Sequence, residues 1–136
     1  MSTSLSLKLT ESTDGLLRFA MRADALLSGA TGLVLLVLAR QVAELSGTTA
    51  TVEYTTGASF VIVSLVVLTF AARPRVRAAG MVLAVGNALF TVATVAVVVA
   101  DVWPLTDVGV ALVLGTGVYT LAMAALQYAG VRRIPN

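Results

Sequence analysis

The sequence predicts an all-α protein, a bundle of four transmembrane helices with both termini in the cytoplasm. Composition is the first observation behind this prediction: 58% of the 136 residues are hydrophobic and 12% are charged, whereas soluble domains average about 45–50% and about 25%. The other observations are four long apolar runs and a one-sided distribution of arginine. A single soluble domain of this length could not bury so many apolar side chains, and a bilayer removes that constraint.

The first fifteen residues, MSTSLSLKLTESTDG, are polar and rich in serine and threonine. The apolar run that follows ends at Arg40 and not at a small-residue cleavage site, so we predict a membrane helix and no cleavable signal peptide. Residues 1–15 are predicted to form a flexible cytosolic tail. Residues 16–133 then make up the transmembrane domain.

Four runs approach the roughly 20 apolar residues that a helix needs to cross the hydrocarbon core. Their many valines would favour strands in water, but in lipid the backbone must be hydrogen-bonded within a helix or a closed barrel. The runs are too long and too continuously apolar for barrel strands, which alternate in polarity. The predicted helices therefore cover about residues 16–38, 54–72, 78–100 and 106–128.

The segments between the runs have the composition of connections. Residues 40–54 are the longest and are predicted to form a loop. Residues 73–77, RPRVR, form a tight charged turn, and residues 101–107, DVWPLTD, form the third connection. In this third connection Pro104 ends the preceding helix, and Thr106 is a suitable N-cap for the last one.

Arginine lies almost entirely on one side of this topology, and only Arg40 lies on the other. Short loops rich in arginine and lysine stay in the cytoplasm, so we predict a multi-pass protein of the cell membrane with both termini inside. The long arginine side chains are predicted to anchor the helix ends by reaching the lipid headgroups. The predicted anchors are Arg18, Arg22, Arg73, Arg75, Arg77, Arg132 and Arg133.

The chain contains no cysteine and no histidine, which removes the thiol nucleophile, the commonest metal ligand and the usual general base. It has no phosphate-binding glycine loop and no Ser/His/acid set. Its few basic residues follow the topology and do not indicate nucleic-acid binding. We therefore predict a protein that is not an enzyme and has no catalytic, cofactor or metal site. Its predicted partner is the lipid bilayer, with other membrane subunits or further copies as open alternatives.

Asp24 places a carboxylate inside the first predicted helix, near the cytoplasmic boundary. Charged groups within a membrane are costly and usually pair. The favoured expectation is a salt bridge to Arg73, Arg75 or Arg77, which would join the first helix to the inner turn. The functional alternative is a proton or cation site, and solvation at the interface is the third possibility.

Asn87 lies ten residues beyond Arg77, a distance of about 15 Å along a helix that places it close to the midplane. An amide at that depth needs hydrogen-bond partners. We expect a bond to a hydroxyl of another helix, with ligand contact as the alternative. Gln127 and Tyr128 are predicted to lie at the inner interface. The candidate hydroxyls are those of Ser28, Thr31, Ser64 and Thr116.

Small residues at spacings of four mark faces where membrane helices can approach closely. Such a face serves either internal packing or docking onto another subunit, and the spacing does not separate the two. The faces are Ala25/Gly29 and Ser28/Gly32 on the first helix, Ala84/Ala88 and Gly86 on the third, and Gly115, Gly117 and Ala122 on the fourth.

The first helix carries the pattern RxDAxxxGxxGLxxLxxA over residues 22–39. With Asn87 in the third helix and PLTDVG before the fourth, the chain resembles, over residues 16–133, small four-helix integral membrane proteins of actinobacteria. The resemblance implies a four-helix inner-membrane protein and carries over no catalytic residue. Small multidrug transporters are similar in having four short helices and a carboxylate in the first. This chain departs from them because Asp24 is predicted near the end of its helix and aromatic residues are sparse.

Two functions are consistent with these observations. The first is a non-enzymatic accessory or scaffold subunit that packs against partner membrane proteins or against itself, because catalytic groups are lacking and small-residue faces are abundant. The alternative is a small proton-coupled transporter that uses Asp24 as its coupling carboxylate.

Overall fold

The fold is helical. It is known from a computed structural model that describes the backbone of residues 2–135 and the side chains of residues 13–135. Helices α3, α4 and α5 and the segment Thr13–Val37 of α1 are each long and apolar enough to cross a membrane. The predicted all-α class with four such helices is therefore confirmed. The helices are α1 (Ser2–Val37), α2 (Ala39–Ser46), α3 (Ala50–Ala71), α4 (Arg77–Val99) and α5 (Asp107–Arg132).

Helix α2 lies in the segment that was predicted to be a loop. Its residues Ala39, Ala43 and Ser46 are buried, at the spacing of four and three that brings side chains to one helix face. Apart from the half-buried Val42, the other positions are polar or exposed, so the short segment lacks a continuous apolar run. The loop prediction was wrong because it relied on mean polarity and overlooked this one-sided pattern.

The ends of the helices depend on local capping. Helix α1 is helical from Ser2 and not only from about residue 16, while the flexible and cytosolic character of residues 1–15 stays a prediction. Helix α3 begins earlier than predicted because Thr49 caps it, its hydroxyl accepting a hydrogen bond from the backbone N–H of Val52 at 3.2 Å. Thr106 caps α5 as predicted and accepts from the N–H of Gly109 at 3.1 Å.

The four long helices pack as two pairs, α1 with α3 and α4 with α5, and the pairs are joined where α1 packs on α5. Glycine permits the closest approach in the first pair: a Cβ built on Gly32 would lie 2.6 Å from the carbonyl oxygen of Gly57. Helices α3 and α4 follow each other in the sequence but make few contacts. Their separation leaves a cleft along the bundle.

Arg18 joins α1 to the C-terminus of α3. Its guanidinium donates hydrogen bonds to the carbonyl oxygens of Ala71 at 2.8 Å, Arg73 at 2.6 Å and Pro74 at 3.0 Å. It also forms an ion pair with Asp14 at 3.0 Å. The last carbonyls of a helix carry partial negative charge and favour a cation. Arg18 therefore holds two helices together, a role that the sequence did not predict.

The other predicted anchor arginines lie at the same end of the bundle, called here the arginine end. Arg77 donates to the carbonyl of Ile134 at 3.4 Å, which brings the start of α4 beside the segment after α5. The guanidiniums of Arg73 and Arg132 lie over aromatic rings, at 5.0 Å and 5.9 Å from the centroids. Whether these side chains reach lipid headgroups stays a prediction.

The apolar core lies near this end and is small. Leu17 and Met21 of α1 and Val131 of α5 are at most 1% exposed. Elsewhere the long helices present apolar side chains outward, and Val82 and Val99 are 72% and 78% exposed. Such a surface is costly in water but matches helices surrounded by lipid.

Candidate functional site

Asp24 lies in the interior of α1, which is helical from Ser2 to Val37, and is 5% exposed. The expectation that it lies near the end of its helix was therefore wrong, while its depth in a membrane stays a prediction. The carboxylate lies between α1, α4 and α5.

Four neutral donors surround this carboxylate. Asp24 Oδ1 accepts hydrogen bonds from the Ser28 hydroxyl at 3.0 Å and from the Tyr119 hydroxyl at 2.7 Å. Oδ2 accepts from Asn87 Nδ2 at 2.8 Å and from Gln127 Nε2 at 2.9 Å. Two bonds on each oxygen match the acceptor capacity of an ionised carboxylate. These five residues, drawn from α1, α4 and α5, form what we call the Asp24 cluster.

The predicted salt bridge from Asp24 to Arg73, Arg75 or Arg77 was wrong. Among the described side chains, Arg18 forms the ion pair at this end, and its partner is Asp14. Arg18 precedes Asp24 by six residues, about 9 Å along a helix, and it is Arg18 that is level with the turn after α3. Asp24 therefore lies too deep in the bundle for the arginines of that turn.

The Asn87 amide donates hydrogen bonds within the Asp24 cluster and not to the hydroxyls that were expected. Its Nδ2 donates both to Asp24 and to Gln127 Oε1, the latter at 2.9 Å. The prediction of an intramembrane polar position is consistent with this geometry, but the predicted partners were wrong. Two acceptor oxygens face the same end of the Asn87 side-chain amide. That end must therefore be the nitrogen, which donates, and not the oxygen.

Gln127 is the cluster residue that the sequence analysis misplaced. It is fully buried, with 0% exposure, although it was predicted to be interfacial. A signal was present, because five of the seven buried positions of α5 follow one another at spacings of three and four. These five positions are Gly117, Thr120, Ala124, Gln127 and Val131.

Beside the cluster lies the cleft between the helix pairs, with a volume of about 1060 Å³. Ligand sites in proteins commonly measure about 300–1,000 Å³, so the cleft has room for a small organic molecule. Its walls are mainly apolar and come from α1, α3, α4 and α5. The rings of Phe60 and Phe90 meet across it with their centroids 5.9 Å apart.

The charged residue that lines the cleft is acidic. Asp24 lines it together with Ser28, Asn87 and Tyr119, and the side chains described for residues 13–135 contribute no lysine or arginine to its wall. Apart from Arg40 of α2, the arginines lie at the arginine end. A negative charge in a partly apolar space without a cationic partner is an unusual arrangement, since buried charges are normally paired.

Two further oxygens in the wall have unused hydrogen-bonding capacity. Within the part of the chain whose side chains are described, the hydroxyl of Ser64 and Oδ1 of Asn87 have no hydrogen-bond partner. Ser64 is 7% exposed and its Oγ lies beside Gly29, where an added Cβ would be 2.6 Å away. Polar groups from α1, α3, α4 and α5 therefore meet the same space.

Comparisons of the chain with protein-family models, with curated proteins and with solved structures found no match. The geometry of the cleft and of the Asp24 cluster therefore has to indicate the function. What these groups can do chemically is to bind: the carboxylate attracts a cation, the unused oxygens accept hydrogen bonds, and the apolar walls surround an apolar body.

Proposed function

We propose that the chain is a small membrane carrier that binds a lipophilic organic cation in the cleft and recognises its charge through Asp24. One observation carries this proposal: a carboxylate held by four neutral donors lies in the wall of an apolar cleft, and no basic residue is among the described residues of that wall. This is the transporter alternative of the sequence analysis, with the ligand class narrowed by the charge of the cleft. Coupling to protons stays a prediction.

Electrostatics favours a cationic ligand. Two opposite charges 4 Å apart attract by about 4 kcal/mol at an effective dielectric constant of about 20, against about 1 kcal/mol in water. The donors of the Asp24 cluster are neutral, so the net charge of the cleft wall is that of the carboxylate. A cation entering the cleft would pair with this charge, and an anion would be repelled.

The apolar walls determine which ligand shapes fit the cleft, but they contribute less to binding affinity than the charge of Asp24 does. A ligand that arrives from lipid leaves an environment already as apolar as the cleft, and so gains little from burying its apolar body. Selectivity would then come from the charge of Asp24 and from hydrogen bonds to Ser64 and Asn87. The proposal therefore predicts discrimination by ligand charge at constant ligand shape.

A pair of ions tests this prediction, because tetraphenylphosphonium and tetraphenylborate have nearly the same shape and opposite charge. We expect the purified chain in lipid nanodiscs to bind the labelled phosphonium and not the borate. Asp24→Asn should reduce phosphonium binding at least tenfold, since it removes the charge, whereas Asp107→Asn at the start of α5 should leave it within twofold. The measurement is equilibrium binding of each labelled ion.

Asp24→Asn also changes the cluster, and a second variant separates binding from folding. Gly86 lines the cleft, and a Cβ built on it meets nothing within 4 Å. Gly86→Leu should fill part of the cleft and weaken phosphonium binding while leaving the Asp24 cluster intact. Equal binding of both ions by the wild-type chain, or unchanged binding in both variants, would refute the proposal.

The accessory or scaffold role predicted from the sequence remains a second proposal, but its main support has weakened. Small residues of the predicted faces serve contacts inside the bundle, with Gly32 against Gly57 and Gly117 against Thr94. Gly86 and Gly115 line the cleft and meet no neighbour. Co-purification in mild detergent tests the role, and a chain that is monomeric and alone in several detergents would count against it.

We further propose that the arginine end lies in the cytoplasm of a cell-membrane protein, with both termini inside, because loops rich in arginine stay there. Membership of the small four-helix proteins of actinobacteria and the lack of enzymatic activity also remain predictions. The chain contains no cysteine, so Arg75→Cys and Glu44→Cys can be labelled singly in whole cells. Labelling of Arg75→Cys by an impermeant reagent from outside would contradict the orientation.

A further inference from the structure

A second depression lies where α1 meets the turn between α3 and α4, with a volume of about 720 Å³. Phe19, Arg22 and Leu26 line it from α1, and Arg73 and Pro74 line it from the turn. None of these five residues belongs to the wall of the cleft. The depression, called here the arginine groove, is therefore a separate site at the arginine end.

The arginine groove has a positive net charge. Among the residues whose side chains are described, three arginines and one aspartate line it, which leaves a formal charge of +2. The Asp14 carboxylate is paired with Arg18, whose guanidinium is occupied by backbone carbonyls. The excess charge therefore resides on Arg22 and Arg73.

These two guanidiniums keep most of their hydrogen-bonding capacity. Arg22 makes one long bond, 3.4 Å, to the carbonyl of Ala71. Within the described part of the chain, the side chain of Arg73 donates no hydrogen bond and lies over the ring of Phe70 at 5.0 Å from its centroid. A guanidinium has five N–H donors in a planar fork that matches the oxygens of a phosphate.

The groove also changes from polar to apolar along α1. Leu26 follows Arg22 by one helical turn away from the arginine end and is 64% exposed, whereas the equally exposed Phe19 precedes Arg22. A ligand in the groove would thus meet two cations at the end of the bundle and the apolar side chain of Leu26 further in. This order of chemistry corresponds to the headgroup and acyl chain of a lipid.

We propose that the arginine groove binds one anionic phospholipid, with its phosphate between Arg22 and Arg73 and an acyl chain along Ala23 and Leu26. The phosphate chemistry alone would also suit free phosphate, but the exposed apolar continuation of the groove favours the lipid. The proposal is independent of the cleft, since the two sites share no residue. Asp24→Asn should therefore leave lipid binding unchanged.

The test measures the lipid retained by the full chain in non-ionic detergent, by native mass spectrometry, after addition of phosphatidylglycerol or phosphatidylcholine with matched chains. We expect one phosphatidylglycerol to be bound in preference to phosphatidylcholine. Each arginine near an anionic lipid contributes about fivefold in affinity, so R22Q with R73Q should weaken retention about thirtyfold. R73Q alone should weaken it about fivefold and leaves the contact between Arg22 and α3 intact.

A second double variant, which removes the same amount of positive charge elsewhere, distinguishes a specific lipid site from general electrostatic attraction to an anionic lipid. Arg132 and Arg133 lie at the same end and are exposed, so R132Q with R133Q removes the same charge outside the groove. Retention within twofold of wild type in this variant supports the proposal, and an equal loss in both double variants overturns it. Displacement of phosphatidylglycerol by millimolar inorganic phosphate would show a simple anion site and would also overturn it.

Discussion

At the scale of single residues, the position of Asp24 depends on donors from α1, α4 and α5. A carboxylate at the centre of a membrane helix costs about 2.5–3.5 kcal/mol on insertion scales. Hydrogen bonds in which one partner is charged contribute roughly 1.5–3 kcal/mol each, so the four bonds offset this cost. The same bonds tie α1 to α4 and α5 at one depth, which makes the cluster structural as well as a possible recognition site.

Gln127→Leu tests the structural part of this role. The substitution leaves Asp24 with three donors and removes the acceptor for one Asn87 N–H, so we expect the free energy of unfolding to fall by about 1–3 kcal/mol. The control is Gln41→Leu on the exposed face of α2, which should change it by less than about 0.5 kcal/mol. Unfolding by sodium dodecyl sulfate in mixed micelles, followed by circular dichroism, gives both values. A Gln127→Leu chain as stable as wild type would contradict the geometry of the cluster.

At this scale the sequence could indicate which residues matter but not how they meet. Asp24 and Asn87 stand out because each is a polar side chain within a long apolar run, and the structure joins them directly. Gln127 is 103 positions from Asp24, and no local pattern specifies that pairing. The contact depends on how α1 is aligned against α5, which is fixed by side-chain packing between distant segments.

At the scale of helices, glycine decides where backbones come together and where space remains. Gly32 and Gly57 face each other so closely that each leaves no room for a Cβ, which would lie 2.6 Å or 2.7 Å from the opposite carbonyl oxygen. Gly86 of α4 faces open space instead. The same residue type therefore serves packing between α1 and α3 in one place and the volume of the cleft in another.

An identical substitution at the two kinds of glycine should have opposite effects. Gly32→Ala forces α1 away from α3, and overpacking of this kind costs about 1–3 kcal/mol. Gly86→Ala introduces a better helix former without a clash and should stabilise the chain by up to about 1 kcal/mol. Thermal unfolding in detergent measures both shifts. Two shifts of the same sign would show that the approach of Gly32 to Gly57 is not as the structure has it.

The helices themselves were largely predictable, because each membrane-length segment is a long apolar run bounded by charged or capping residues. Thr106 could be identified as a cap from its place before the last run. Helix α2 could not be identified by the same criterion, since it is short and only one of its faces is buried. Its helical state depends on packing against α3 and α5, which the sequence does not show directly.

At the scale of the whole molecule, the bundle is two helix pairs joined along α1 and α5, with an open seam between α3 and α4. Val63 of α3 and Val82 of α4 border the cleft and are 53% and 72% exposed. Such a seam gives a ligand in the lipid lateral access to the cleft. It is also the place where α3 can separate from α4 without breaking the Asp24 cluster, which lies on α1, α4 and α5.

If the chain is a carrier, restraining this seam should stop transport. Phe60 and Phe90 meet across it, and the chain contains no cysteine, so Phe60→Cys with Phe90→Cys gives one defined pair. We expect a short bis-methanethiosulfonate cross-linker, which forms a reducible disulfide with each cysteine, to lower tetraphenylphosphonium uptake into proteoliposomes at least tenfold, and dithiothreitol to restore it, because release requires α3 and α4 to separate. Each single variant treated with the same reagent is the control. Uptake that continues at full rate in the cross-linked pair would mean that the seam does not move during transport.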